Sequence, residues 1–201
     1  DDPRRFLDQT ATAFQDSAIL LVANHLGLLA DLAAGPRAAA DLAAARGLDA
    51  RATETLLLAL VGPGVLEQPE PGVFALVPAF VPYLDPGGEH ALTSILDHDH
   101  HLLTRWAHLA DVVRTGEPAP RHTDTGDRRD PAELRAFICG MKDISRRSSA
   151  EVADALPELG DCRHLLDLGG GPGTAAITFC RRWPQLHAVV LDLPEVTPIA
   201  G

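Results

Sequence analysis

The chain has 201 residues, enough for one large domain or two small ones, and 46% of them are hydrophobic, enough for a real core. Seventeen basic against 28 acidic residues give a net charge of −11, which argues against nucleic acid and anionic membranes as partners, because affinity for phosphate comes largely from Lys and Arg. No apolar run reaches the roughly 20 residues that span a bilayer, no basic-then-apolar signal opens the chain, and three cysteines without a CxxC pair (Cys139, Cys162, Cys180) suggest reduced thiols in a cytoplasmic protein.

Phe6 to Ala33 reads as helix, with Phe14, Ala18, Leu21, Val22, His25 and Leu26 on one stripe. Gly27 interrupts it, so two helices are possible, and Gly35-Pro36 ends the segment. Asp41 to Arg46 is a short Ala-rich helix stopped by Gly47. Asp49 suits the N-cap of a third helix carrying Leu56, Leu57, Leu60 and Val61, which Gly62-Pro63-Gly64 ends. Two short strands follow, Val65–Glu67 and Val73–Leu76, around Pro69-Glu70-Pro71-Gly72. Short helices followed by a hairpin predict a winged-helix unit. Its third helix offers only Arg51 as a base, whereas a helix that reads a major groove needs basic and amide side chains. Packing and dimerisation fit it better than DNA binding.

His98 to Arg114 reads as one helix with Leu102, Trp106, Leu109 and Val113 on its buried stripe. Within Asp97-His98-Asp99-His100-His101, His98 and His101 stand three apart, which can signal a metal site. Imidazoles beside acids at a helix start are more often solvated or capping, so no metal is expected. Residues 119–129 are polar and interrupted by Pro and Gly, as an exposed loop would be. A long helix then begins sharply, with Asp130 as N-cap, Pro131 at the first position and Glu133 completing a capping box. Leu134, Phe137, Ile138, Met141, Ile144, Ser145, Ser148 and Val152 share one of its faces, until Pro157.

The densest signal comes last. Leu165-Leu166-Asp167-Leu168 reads as a strand, Gly169-Gly170-Gly171-Pro172-Gly173 as a tight turn into a helix, and Asp192-Leu193-Pro194 follows a second strand. Leu165, Leu166 and Leu168 fit a parallel strand covered on both faces. Glycines at 169, 171 and 173 let the backbone turn and approach a ligand without a Cβ. The dinucleotide fingerprint G-x-G-x-x-G would need a glycine at position 174, where Thr174 stands. The pattern suits an adenosine cofactor without a pyrophosphate, with S-adenosylmethionine the obvious candidate. Asp192 lies 192 − 169 = 23 residues after Gly169, near the roughly 20 expected for an acid that accepts hydrogen bonds from ribose hydroxyls. Asp167 can orient the glycine turn or reach the cofactor amine through water. Trp106 can wall a substrate pocket, although its stripe favours core packing.

Taken together, these phrases resemble the plant-type O-methyltransferase family and its bacterial members that modify natural products. Asp41-Leu42-Ala43-Ala44, Gly47-Leu48-Asp49-Ala50-Arg51-Ala52, Gly64-Val65-Leu66 and Arg114-Thr115-Gly116-Glu117-Pro118 are similar to its dimerisation part. Asp167-Leu168-Gly169-Gly170-Gly171-Pro172-Gly173 with Asp192-Leu193-Pro194 is similar to its cofactor signature.

The resemblance implies a mainly α winged-helix dimerisation domain at residues 1–118, a loop and linker helix at 119–160, and the start of an α/β Rossmann-like methyltransferase domain at 161–201. It implies a homodimer formed through the N-terminal helices, a small aromatic or polyketide-like acceptor, and cofactor contacts from Phe137, Met141, Ser145, Asp167, Gly169, Gly171, Asp192 and Leu193. Phe137, Met141 and Ser145 stand four apart and so line one helix face, next to the reacting methyl in the family; Met141 can also face the acceptor. Two readable strands cannot close a doubly wound core, so the chain is expected to stop after the second strand of a longer enzyme. The family's His base then lies beyond Gly201, and this chain holds no catalytic residue. The rival expectations are a cofactor-assisted hydroxylase or decarboxylase, and a non-catalytic dimerising scaffold.

Overall fold

A computed structural model describes residues 2–119 and 130–199, and the chain divides into two compact units, Asp1–Ala119 and Pro120–Gly201. The expected loop at 119–129 lies almost wholly outside the described residues.

In the first unit, α1 runs Pro3–His25. Asp2 opens it by accepting from the Arg4 amide at 3.0 Å, and Pro3 fills the first helical position, where no N–H is needed. Gly27, at φ 76°, turns the chain into α2 (Leu28–Ala33), so the segment is two helices. The α1 stripe is only partly covered: Leu21 is buried and Ala18, Val22 and Leu26 are half-buried, while Phe14 is exposed, as are Phe6 and Leu7 before it. β1 (Arg37–Ala38), α3 (Ala39–Arg46) and α4 (Ala50–Val61) follow. Gly47 ends α3 at φ 66°, and Asp49 caps α4 by accepting from the Ala52 amide at 2.8 Å.

β2 (Leu66–Glu70) and β3 (Val73–Leu76) form a hairpin, and β1 pairs antiparallel with β3, giving the order β1-β3-β2. β1 is a strand too short for periodicity to reveal. Leu28, Leu29, Leu42, Leu57, Leu60 and Phe74 are wholly buried between these helices and this sheet.

α5 (Val81–Leu84), α6 (Thr93–Trp106) and α7 (Leu109–Thr115) complete the unit. The helix expected at 98–114 is therefore two, broken at Ala107 and His108. Its expected buried stripe is not buried: Trp106, Leu109 and Val113 are 66%, 48% and 77% exposed. The helical period is real, but Trp106 and Leu109 of that face line an open groove with Leu102, Arg105, Val112 and Ala119.

In the second unit, α8 (Pro131–Ala155) is capped by Asp130, which accepts from the Ala132 amide at 2.8 Å. A 3-10 turn at Pro157–Asp161 leads to β4 (His164–Leu168), α9 (Thr174–Arg182) and β5 (His187–Leu191). β4 and β5 pair in parallel, Leu166 opposite Val189. Among the described residues, two small cores hold the unit. Leu134 and Ile138 of α8 meet Val196, with Phe137 and Ile199 against them, and Ala153 meets Phe179 and Leu186, with Leu165 and Trp183 alongside.

One expectation fails here, and the shared face of α8 is only partly covered. Ile144 and Val152 are exposed, because the buried face of α8 passes through the small residues Ser149 and Ala153 toward its C-terminus. Leu166 and Leu168 are 58% and 68% exposed: only the face carrying Leu165 and Asp167 is covered among the described residues.

Candidate functional site

The glycine turn between β4 and α9 is built by its backbone angles. Gly169, Gly171 and Gly173 all have positive φ (68°, 54° and 71°), where a Cβ would crowd the following carbonyl. Gly170, between them, is glycine for a different reason. A Cβ there would stand 2.7 Å from both the Asp167 carboxyl and Val190. Spacing does not mark this glycine, because its requirement is a close approach rather than a backbone angle; the unbroken run Gly169-Gly170-Gly171 is the signal the sequence offers.

The parallel pairing brings the end of β5 beside this turn. The Gly169 amide donates to the Leu191 carbonyl at 2.8 Å, extending the ladder by one residue. One step on, Asp192 Oδ2 accepts from the Gly171 amide at 2.7 Å, and Oδ1 accepts from the Leu193 amide at 2.7 Å. A carboxylate has about four acceptor sites. Two are used, one on each oxygen, so each oxygen keeps capacity to accept from a neighbouring pair of hydroxyls. Leu193 contributes its amide; its side chain is 58% exposed. Asp167 lies beneath the turn, and its Oδ2 is buried with no hydrogen-bond partner among the described residues. A buried carboxylate oxygen in that state is a strong acceptor awaiting a donor.

Phe137 of α8 packs into the cluster that holds Val196 and Ile199, the segment directly after Asp192. Its core role is thus observed. Met141 and Ser145 stand one and two turns further along, half-buried, and the Ser145 hydroxyl donates to the Met141 carbonyl at 2.6 Å. The turn and Asp192 are therefore joined directly, and Phe137 is joined to the segment that follows; Met141 and Ser145 share only the helix face. Trp106 stands on the open groove of the first unit.

Residues 8–80 match the O-methyltransferase dimerisation domain, and residues 106–201 match the O-methyltransferase domain. The chain belongs to the O-methyltransferase family. It is 30% identical over 199 residues to 3-hydroxy-5-methyl-1-naphthoate 3-O-methyltransferase of Streptomyces sahachiroi, covering 97% of this chain and 57% of that protein. It is 30% identical to mouse (Mus musculus) acetylserotonin O-methyltransferase, covering 98% of this chain and 54% of that one. Among solved structures it is similar to human N-acetylserotonin methyltransferase in complex with SAM, at a TM-score of 0.82 and 28% identity, over all of this chain and 62% of that one. The chain thus spans a little over half the length of these relatives.

Proposed function

We propose that this chain serves an S-adenosylmethionine-dependent methyltransferase that moves a methyl group to an oxygen of a small aromatic or polyketide-like acceptor. The observation that carries the reading is the Gly171 amide bound to the Asp192 carboxylate at 2.7 Å. It holds a ribose-type acceptor beside a glycine turn with no side chain in the way. The named relatives act on a naphthoate and on acetylserotonin, both aromatic, and the human structure holds the same cofactor.

The residues present fit the cofactor. Asp192 would accept from the ribose hydroxyls, Gly169 and Gly171 would let the backbone come close, and Leu193 would flank the nucleoside. Asp167 would offer its unpartnered oxygen toward the cofactor amine, directly or through water. Phe137 and Met141 would set an aromatic face and a polarisable sulfur toward a sulfonium, with Ser145 on the same face. The cofactor supplies an electrophilic methyl; the chain's part is to position it, and positioning alone is worth several orders of magnitude in rate.

The first unit reads as a winged helix used for dimerisation. Its element order, helix, short strand, two helices and a hairpin, supports this, with β1 as the strand that closes the three-stranded sheet. The exposed Phe6, Leu7 and Phe14 on α1 fit a homodimer contact. Trp106 and its open groove are the candidate acceptor wall.

Calorimetric titration of S-adenosylmethionine into the chain tests the cofactor reading. Saturable binding should weaken at least about tenfold in Asp192→Ala, as expected for losing charge-assisted hydrogen bonds. Equal binding by the variant, or a preference for NADH, would overturn it.

A further inference from the structure

Away from the glycine turn, four titratable groups converge where α1 ends against α6. His25 is the last residue of α1, and Asp97, His100 and His101 lie on α6. His25 Nδ1 stands 2.6 Å from Asp97 Oδ1. The His25 and His100 rings stack at 3.9 Å between centroids, and His101 lies 5.8 Å from each. One donor atom each from His25, Asp97 and His100 can be drawn from within 4.8 Å of one another. The Nδ1 of His100 is buried with no hydrogen-bond partner among the described residues. No element of the proposed methyl transfer uses these groups. The local pattern shows only the α6 histidines; His25 stands 72 positions before Asp97, and only the packing of α1 on α6 joins them.

We infer that His25, Asp97 and His100 form a binding site for a divalent cation of the zinc class, which clasps the end of α1 to α6.

The donor chemistry selects the ion. Two imidazoles and one carboxylate suit zinc and its neighbours, whereas calcium and magnesium demand oxygen ligands. Ligand atoms on a tetrahedral ion with bonds near 2.0–2.1 Å stand on the order of 3.3 Å apart. His25 Nδ1 and Asp97 Oδ1 stand closer than that, at 2.6 Å, and all three donors lie within 4.8 Å of one another, so modest side-chain movements suffice. Stacked rings aim their lone pairs along parallel planes, so one imidazole must turn about χ2 to meet the other. His100 has no Nδ1 hydrogen bond to lose in doing so. His25 is partly exposed, with 40% of its side chain accessible, which leaves the ion a way in. Asp97 and His100 are spaced i, i+3, so one helix face presents both donors, and His101 or water is at hand for a fourth position.

The test is titration of Zn2+ by calorimetry, and of Co2+ by visible absorption, into the metal-stripped chain. His25→Gln and His100→Gln are compared with a His164→Gln, His187→Gln double variant, because that ring pair on β4 and β5 is the nearest look-alike. The expected result is one equivalent bound, affinity lowered at least about tenfold in each of the first two variants and unchanged in the third. Zn2+ should also raise the thermal midpoint of the unaltered chain. The inference is overturned if the unaltered chain shows no saturable binding and no tetrahedral Co2+ spectrum. It fails equally if the His25 and His100 variants bind as tightly as the unaltered chain, or if the loss follows His164 and His187. Circular dichroism confirms that each variant is folded, and the Co2+ spectrum of the unaltered chain reports its ligands without any substitution.

Discussion

The two units handle apolar residues in opposite ways. In the first, Leu28, Leu29, Leu42, Leu57, Leu60 and Phe74 are wholly buried in one continuous core. In the second, the cores are small and separate, and Leu166, Leu168, Val189 and Leu191 stand 58–68% exposed on one face of the parallel pair. Amphipathic helices and an antiparallel sheet need only one apolar face covered. A parallel pair is normally covered on both. Among the described residues, similar hydrophobic sequence closes a core in the first unit and leaves one sheet face uncovered in the second.

The sharpest way to break this comparison is a matched pair of truncations. Phe74→Ala should destabilise the first unit by about 3–5 kcal/mol, the usual cost of emptying a packed core. Leu168→Ala should change stability by only about 0.5 kcal/mol or less, as at other surface positions. Urea unfolding of both variants measures this, and similar losses would mean that the exposed face is covered in solution.

A smaller effect should come from the glycine turn. Gly170→Ala pushes a Cβ to within 2.7 Å of Asp167 and Val190, and overpacking of that kind costs about 1–3 kcal/mol. S-adenosylmethionine affinity should fall with it. Unfolding curves and the calorimetric titration read the two effects separately; an unchanged stability would show that the turn has slack.

The smallest effect lies in the first unit. Arg46 binds Asp31 through two hydrogen bonds, each 2.8 Å, and these hold the Asp31 carboxyl below its ordinary value against the opposing effect of desolvation, helped by the charges of Arg46 and Arg37. The folded state therefore binds a proton less readily than the unfolded one. The pair's contribution is present above the ordinary carboxylate range and is lost as pH falls through the lowered value. It should amount to about 1 kcal/mol or less, since both side chains are partly exposed. Asp31→Asn should flatten that acid limb of the stability–pH curve, followed by urea unfolding between neutral and acid pH.

Local signals were legible wherever one residue type answers one local need. Asp49 and Asp130 mark helix starts because their carboxylates reach the second or third amide beyond. Gly27 and Gly47 mark breaks because they take left-handed angles. β4 and β5 fall within the readable segments, because short apolar runs flanked by a glycine turn leave little choice. β1 escaped because two residues carry no period. The stripe through Trp106, Leu109 and Val113 misled because periodicity reports an apolar face without saying what covers it.

The sequence by itself determined the helix starts at Asp49 and Asp130, the breaks at Gly27 and Gly47, the glycine turn, and the acid placed to meet it, since each rests on spacing or on backbone angles that few residues tolerate. Tertiary structure alone decided which apolar faces are covered, that Gly170 must be bare because Asp167 and Val190 crowd it, and that His25 meets Asp97 and His100. Those depend on surfaces distant in the chain, and no local pattern encodes a distance across space.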